Sequence, residues 1–266
     1  LTEALTPRRA SKDLPSSPAC NALLIALQIA TLQQLCRSRN SGRFPQHRME
    51  RYSRQMILPQ VGFEGQLNLA RSRVLVVGAG GIGSTAAMYL AASGVALDVL
   101  DFDQVELSNL HRQVIHDESS AGEDKSVSAA TRLNRINSTL ACGALLGRVD
   151  TTNALELIAQ YDLVVDCTDN LSARYAINDA CVILQKPLVS GSAVGMDGQI
   201  TTILPYRTPC YRCLYPQAPT STSSSGSCAE VGVLGPIPGL IGCLQAVEVL
   251  KLLLNRETYL EGGGEG

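Results

Sequence analysis

Gly78, Gly80 and Gly83 stand in the spacing G-x-G-x-x-G, with Gly81 inside the turn. Between a strand and a helix, glycines so spaced let main-chain amides approach a phosphate, and the helix N-terminus favours its negative charge. Asp101 lies 18 residues after Gly83, at the end of the next apolar run. A carboxylate there can accept hydrogen bonds from ribose hydroxyls. These residues leave NAD, FAD, S-adenosylmethionine and ATP all open. The stretch that follows, DFDQVELSNLHRQ at 101–113, narrows the choice. It sets Ser108, Asn109, Leu110, His111 and Arg112 a few residues beyond the acid. An amide and a guanidinium there suit ATP phosphates. A dehydrogenase has no clear need for them.

Further residues fit phosphate or metal chemistry. Lys125 opens a helical pattern and offers a point charge suited to phosphate, although an exposed lysine in a first helical turn reads the same way. Asp169 follows the apolar run 163–165, at a strand end where open α/β sheets bind ligands. A lone carboxylate there can hold Mg²⁺ together with substrate phosphates, or cap the helix that follows Asn170. Cys210 and Cys213 have zinc-ligand spacing, but a structural zinc takes four ligands. The competing reading is a pair of free loop thiols. Cys228 follows the small, polar segment 219–227, and an accessible loop cysteine is a candidate nucleophile.

The elements that must position these residues alternate from Arg73 onward. Apolar runs at 74–77, 97–100, 163–165 and 187–190 predict strands, and 82–92, 125–136, 154–160 and 171–184 predict helices. Strands that are continuously apolar belong to parallel sheets covered on both faces. The fold class is therefore α/β, a doubly wound, mostly parallel Rossmann-like sheet. The run 199–204 has no crossover helix before it, which predicts an antiparallel extension. A loop-rich stretch at 205–238 leads to a C-terminal helix at 239–255. That helix is apolar almost all round, with Gln245, Glu248 and Lys251 as a polar stripe. Its polar residues and its length of about four turns argue against a membrane span, and its apolarity against an exposed position.

With 266 residues the chain suits one large α/β domain, and a net charge of −2 gives no basic field for nucleic acid. Nine cysteines are an odd number, and most sit inside apolar runs; Cys167 and Cys181 read as buried thiols of a reducing compartment, the cytoplasm. Residues 1–48 differ from the rest, with seven Lys/Arg against two Asp/Glu, and they include an apolar run of eleven residues at 22–32. That run is too short to span a bilayer. The expectation is a poorly ordered leader at 1–48 before a single domain at 49–266, with organelle targeting the other reading of the leader.

Together these segments resemble the ubiquitin-activating-type adenylyltransferases of the MoeB/ThiF branch. The resemblance rests on RYSRQMILP at 51–59, VVGAGGIGS at 76–84, DFDQVELSNLHRQ, Lys125, DCTDN at 166–170 and RYAINDACV at 174–182. It continues through PCYRCLYP at 209–216, SCAEVGVLG at 227–235 and GCLQAVEVLK at 242–251. Pairing CYRC with SCAE is most similar to the eukaryotic molybdenum-cofactor members, in which a MoeB-like half precedes a rhodanese half and the pair also serves tRNA thiolation.

The resemblance implies ATP-dependent adenylation of the C-terminal Gly-Gly carboxylate of a small ubiquitin-like sulfur-carrier protein. It implies that Gly81 and Asp101 contact the adenosine and phosphate region and that residues 108–112 line the phosphates, with Asn109 and Arg112 polarising them. Lys125 would neutralise charge, Asp169 would bind Mg²⁺ and Asn170 would sit beside it. Arg54 would reach into a partner subunit's site, which with the apolar C-terminal helix implies a homodimer. Cys228 would take a glycyl-thioester or persulfide role. The family's second C-x-x-C has no counterpart here, so zinc at Cys210 and Cys213 would be half-coordinated and weak. A rhodanese would be a partner or a missing domain. Two alternatives remain: a NAD-dependent oxidoreductase, and a truncated, non-catalytic family member.

Overall fold

The computed structural model describes residues 46–217, 232–256 and 259. The apolar run 22–32, the polar segment 219–227 and Cys228 lie outside the described residues. The chain divides into two compact units, 1–57 and 58–266. In the first, helix α1 (Gln46–Met56) carries Met49, Tyr52 and Met56 three and four residues apart, and all three are buried. Arg54 lies in its last turn, where a cation complements the helix dipole.

The second unit opens with α2 (Gly62–Arg71), β1 (Arg73–Val77), α3 (Gly81–Ser93), β2 (Ala96–Asp101) and α4 (Lys125–Ile136). Then come β3 (Gly143–Leu146), α5 (Ala154–Ala159), β4 (Leu163–Asp166) and α6 (Leu171–Ile183). The hairpin β5 (Leu188–Val194) and β6 (Asp197–Ile203), the short α7 (Tyr211–Leu214) and the long α8 (Pro236–Leu254) complete it. The sheet order is β3-β2-β1-β4-β5-β6, parallel except for the final antiparallel pair. This is the doubly wound topology that the alternation predicts, with its antiparallel extension.

β1 shows why the strands read as continuous apolar runs. Val74 and Val76 enter a core with Leu69, Leu90, Leu133 and Ile241, while Leu75 and Val77 enter a second with Ile158, Ile177, Leu188 and Tyr211. Side chains alternate across the sheet, and here both faces are covered. Helices α2, α3, α4 and α8 contribute to the first core, and α5, α6 and α7 to the second. α7 and α8 thus lie on opposite faces of the sheet. Gly195 N donates to Gly232 O at 2.9 Å and Leu234 N to Gly195 O at 3.0 Å, which pins the returning chain to the β5–β6 turn.

Several elements depart from what the sequence predicts. β3 lies at the sheet edge, half-buried and exposed residues alternating, and its short run of four residues is not among the predicted strands. α1 and α2 precede Arg73, where the alternation becomes visible. α8 starts at Pro236, with proline in its first turn, and is 19 residues long. Among the described residues it is the one helix long and apolar enough to cross a membrane. Its Ile241, Ala246, Val249, Leu252 and Leu253 are buried in the first core, whereas Leu240, Leu244 and Val247 are exposed. Gln245 does not belong to a surface stripe: it is completely buried.

Candidate active site

Strand register sets the floor of the site. Val77 pairs with Leu100 on one side and Asp166 on the other, so β1, β2 and β4 end level. Gly78 N donates to Leu100 O at 2.8 Å, and Cys167 N to Val77 O at 2.9 Å. The glycine turn, Asp101 and the loop after β4 therefore leave the sheet side by side. They do so where the strand order reverses, the usual ligand crevice of an open α/β sheet.

Gly78 has φ +100°, and a Cβ there would lie 2.9 Å from Cys167 O. A Cβ on Gly83 would lie 1.9 Å from Gly78 O. Neither position accepts a side chain, so the turn's backbone stays bare. Asp101 is buried and grips the turn: its Oδ2 accepts from Ala79 N at 2.7 Å and its Oδ1 from Asp103 N at 2.8 Å. The acid ends β2 as predicted and also braces the loop, a task its spacing does not reveal. Gly80 precedes α3 and its carbonyl accepts from Ser84 N at 2.9 Å. A Cβ on Gly81 would lie 3.0 Å from Pro238 and 3.3 Å from Arg112 O. The 108–112 segment and the start of α8 thus border the turn.

Within that segment Leu107–Asn109 forms a 3-10 turn. Arg112 NH2 donates to Asn109 Oδ1 at 2.7 Å, and its NH1 to His111 Nε2 at 3.4 Å and Ser108 O at 3.5 Å. His111 Nδ1 donates to Ser108 O at 3.0 Å. Leu110 is half-buried within the same cluster. Lys125 overturns the exposed-lysine alternative, being only 6% exposed. Its Nζ lies 3.0 Å from Asp103 Oδ2, and its main-chain N donates to Asp103 O at 2.9 Å. Burying an unpaired ammonium is costly, so Asp103 anchors it.

Asp169 is exposed just beyond β4. The capping alternative falls to its neighbour: Asn170 Oδ1 accepts from Ser172 N at 2.9 Å and Ala173 N at 3.2 Å. The Asp169 carboxylate is thereby left open. One open carboxylate beside a phosphate crevice fits the way Mg²⁺ is held between protein and substrate phosphates.

Beneath that loop lies a network the sequence does not disclose. Asp166 is completely buried and accepts from Thr168 N at 3.0 Å, Thr168 Oγ1 at 2.6 Å and Ser190 Oγ at 2.7 Å. Arg174, also buried, sets its Nε 3.4 Å from Asp166 Oδ2, and its NH2 donates to Thr168 O at 2.5 Å and Gly191 O at 3.0 Å. Gln245 Nε2 donates to Asp166 O at 2.9 Å and Val189 O at 3.0 Å, while its Oε1 accepts from Cys167 Sγ at 3.2 Å. Burial pushes the Cys167 and Cys181 thiols well up, as befits buried cysteines. His116 is another buried polar residue, without a signal of its own. A charge or amide inside an apolar run was the one available sign for Arg174 and Gln245.

Cys210 and Cys213 approach to 3.6 Å between sulfurs. Tetrahedral zinc with Zn–S bonds of about 2.3 Å sets its sulfurs about 3.8 Å apart, so the pair fits half a site. No group of three possible His, Cys, Asp or Glu ligands occurs among the described residues. Burial pushes the Cys210 thiol up, but hydrogen bonds from Cys213 and Arg212 outweigh it and draw it below its ordinary value. Arg212 fixes α7 to α6 through both carboxylate oxygens of Asp179, at 2.6 and 2.7 Å. Arg54 belongs to the first unit, and Cys228 lies outside the described residues; neither is placed with the crevice.

The profile of the ThiF family matches residues 52–263. The chain is 54% identical to the adenylyltransferase and sulfurtransferase MOCS3 of Arabidopsis thaliana over 203 residues, 76% of this chain and 44% of that protein. It is 50% identical to the protein of that name from Danio rerio over 208 residues, 78% of this chain and 45% of that one. The chain spans about half the length of the curated relatives it matches. A crystal structure of E. coli MccB with ATP is similar at a TM-score of 0.64 and 25% identity, over 77% of this chain and 63% of that chain.

Proposed function

The chain belongs to the ThiF family, and from that premise we propose that it uses ATP to adenylate the C-terminal Gly-Gly carboxylate of a small ubiquitin-like sulfur-carrier protein. The observation that carries the reading is the level ending of β1, β2 and β4, which sets the glycine turn, Asp101 and the Asp169 loop around one crevice beside Arg112. A carboxylate oxygen of the carrier bonds to the α-phosphorus. The bond from that phosphorus to the bridging oxygen breaks, and its electron pair leaves with pyrophosphate. The attacking carboxylate is already ionised, so no general base is required. The reaction needs alignment and positive charge around the phosphoryl oxygens. Bare amides of residues 79–83 and the α3 N-terminus supply part of it. Arg112 and Lys125 supply the rest, exchanging or sharing their contacts with Asn109 and Asp103. Asp169 would hold Mg²⁺, which would neutralise the phosphates further.

A homodimer is supported by the exposed apolar row Leu240, Leu244 and Val247, and would let Arg54 of one copy serve the other. The names of the relatives pair adenylyl transfer with sulfur transfer. The reading accordingly takes the adenylate onward to a rhodanese-type donor, in molybdenum cofactor synthesis and tRNA thiolation, with Cys228 as the thioester- or persulfide-forming thiol. Zinc would bind Cys210 and Cys213 weakly. The reduced cysteines favour the cytoplasm.

Carrier-dependent exchange of labelled pyrophosphate into ATP tests the core of this. Exchange should require the carrier's Gly-Gly end and collapse in Arg112→Ala. Undiminished exchange in that variant, or tight NADH binding without any exchange, sinks the reading.

A further inference from the structure

We propose that His116 is a positioning residue for ATP, one imidazole that fixes the glycine turn to the helix carrying Lys125. The inference rests on the ATP reading above and deepens it.

His116 is buried between the glycine turn and α4. Its Nε2 lies 3.0 Å from Ala79 O and its Nδ1 2.8 Å from Ser128 Oγ. A carbonyl only accepts, so Nε2 carries the proton and donates to Ala79 O. Neutral imidazole then accepts at Nδ1 from the Ser128 hydroxyl. Burial, the largest influence, holds the imidazole below its ordinary pKa and favours that neutral form.

Both partners matter to the site. Ser128 lies three residues after Lys125, the next position along the same face of α4. Ala79 is held from both ends, its N–H by Asp101 Oδ2 and its C=O by His116. The peptide joining Ala79 and Gly80 is planar and trans, so drawing the carbonyl inward turns the Gly80 N–H the opposite way. His116 thereby sets the direction of a turn amide and the distance from that turn to Lys125. Neither contact touches the reacting atoms. Loss of the imidazole should loosen two phosphate-binding elements together and leave the carrier's docking surface alone.

The test uses the full chain with its carrier, measuring pyrophosphate exchange, and ATP binding without carrier. His116→Ala should raise the KM and Kd for ATP about tenfold, the loss of one buried hydrogen bond, while kcat at saturating ATP stays within about threefold. The KM for carrier should not move. His116→Gln, whose amide can still donate to Ala79 O, should bring the ATP KM back to within about threefold of wild type. Should His116→Ala fail to fold, Ser128→Ala carries the test, with a smaller rise in the ATP KM of the same kind. Equal impairment in the Ala and Gln variants, an unchanged ATP KM, or a parallel rise in the carrier KM overturns the inference. Lys125→Ala separates the two levels. If it binds ATP as wild type does, the ATP reading itself fails. If it is impaired while His116→Ala is normal, only the role of His116 falls.

Discussion

The two flanks of the crevice hold their charged groups in opposite ways. On the β2 flank, Arg112 rests on Asn109 and Lys125 on the half-exposed Asp103. Each cation has one main side-chain partner, and both partners lie on loops at the crevice. On the β4 flank the open acid, Asp169, has no hydrogen-bonding partner among the described residues, and the loop below it is tied down by Asp166, Arg174, Ser190 and Gln245. On the proposed reading the first flank would exchange partners when phosphates arrive. The second holds still the carboxylate that would meet a metal, through a buried polar network in which every member supports another.

The contrast is broken most severely at Arg174. Removing it leaves Asp166 buried without its cation, and Arg174→Ala should lose about 3–5 kcal/mol of stability in urea denaturation. Arg112→Ala, on the opposite flank, should leave the urea midpoint where it is and cut the rate of carrier-dependent exchange about 10²–10³-fold. A stable Arg174→Ala, or an Arg112→Ala that melts early, would erase the distinction between the flanks.

Gln245→Leu sharpens the same contrast from α8. It withdraws the donor that serves Asp166 O and Val189 O, and should cost about 1–3 kcal/mol with the ATP KM little changed. A wild-type midpoint in that variant would show that the helix merely covers the strand ends without bracing them.

The flanks also differ in how plainly the sequence announces them. The β2 flank was legible because its chemistry demands particular residue types at local spacing: Gly78 to Gly83, Asp101, then Asn109 and Arg112. The strands were legible because both faces are covered, which leaves no polar residue in Val74–Val77. The support under Asp169 was not. Arg174 shows in sequence only as a charge inside an apolar run, and only the fold brings it to Asp166, eight residues away and on another element. Gln245 was misread for a geometric reason. Three residues advance a helix by about 300°, so positions 245 and 251 are about 120° apart, far enough to take one into the core and the other into solvent. β3 escaped because its four residues, though apolar, include no β-branched or aromatic side chain to mark a strand.

Acid should expose the smallest difference, that between His116 and the residues around it. Its pKa lies below the ordinary 6.5 because burial outweighs the hydrogen bond to Ala79; Lys125 lowers it further, and Asp101 and Glu123 raise it. The unfolded chain therefore takes up this proton first as pH falls. The stability His116 contributes is full above pH 6.5 and drains away between 6.5 and its folded value, by at most about 1.4 kcal/mol for each unit of the shift. Asp117, Asp150 and Asp179 titrate in a separate window, since hydrogen bonds to their carboxylates hold them below 3.8. Urea midpoints between pH 7.5 and 5 thus isolate the imidazole. Wild type should lose stability across that range and His116→Gln, which has no proton to take up, should lose less. Equal losses in the two proteins would mean that the clamp on Ala79 tolerates a charged imidazole, which would place His116 among the exchangeable partners of the β2 flank and not among its fixed supports.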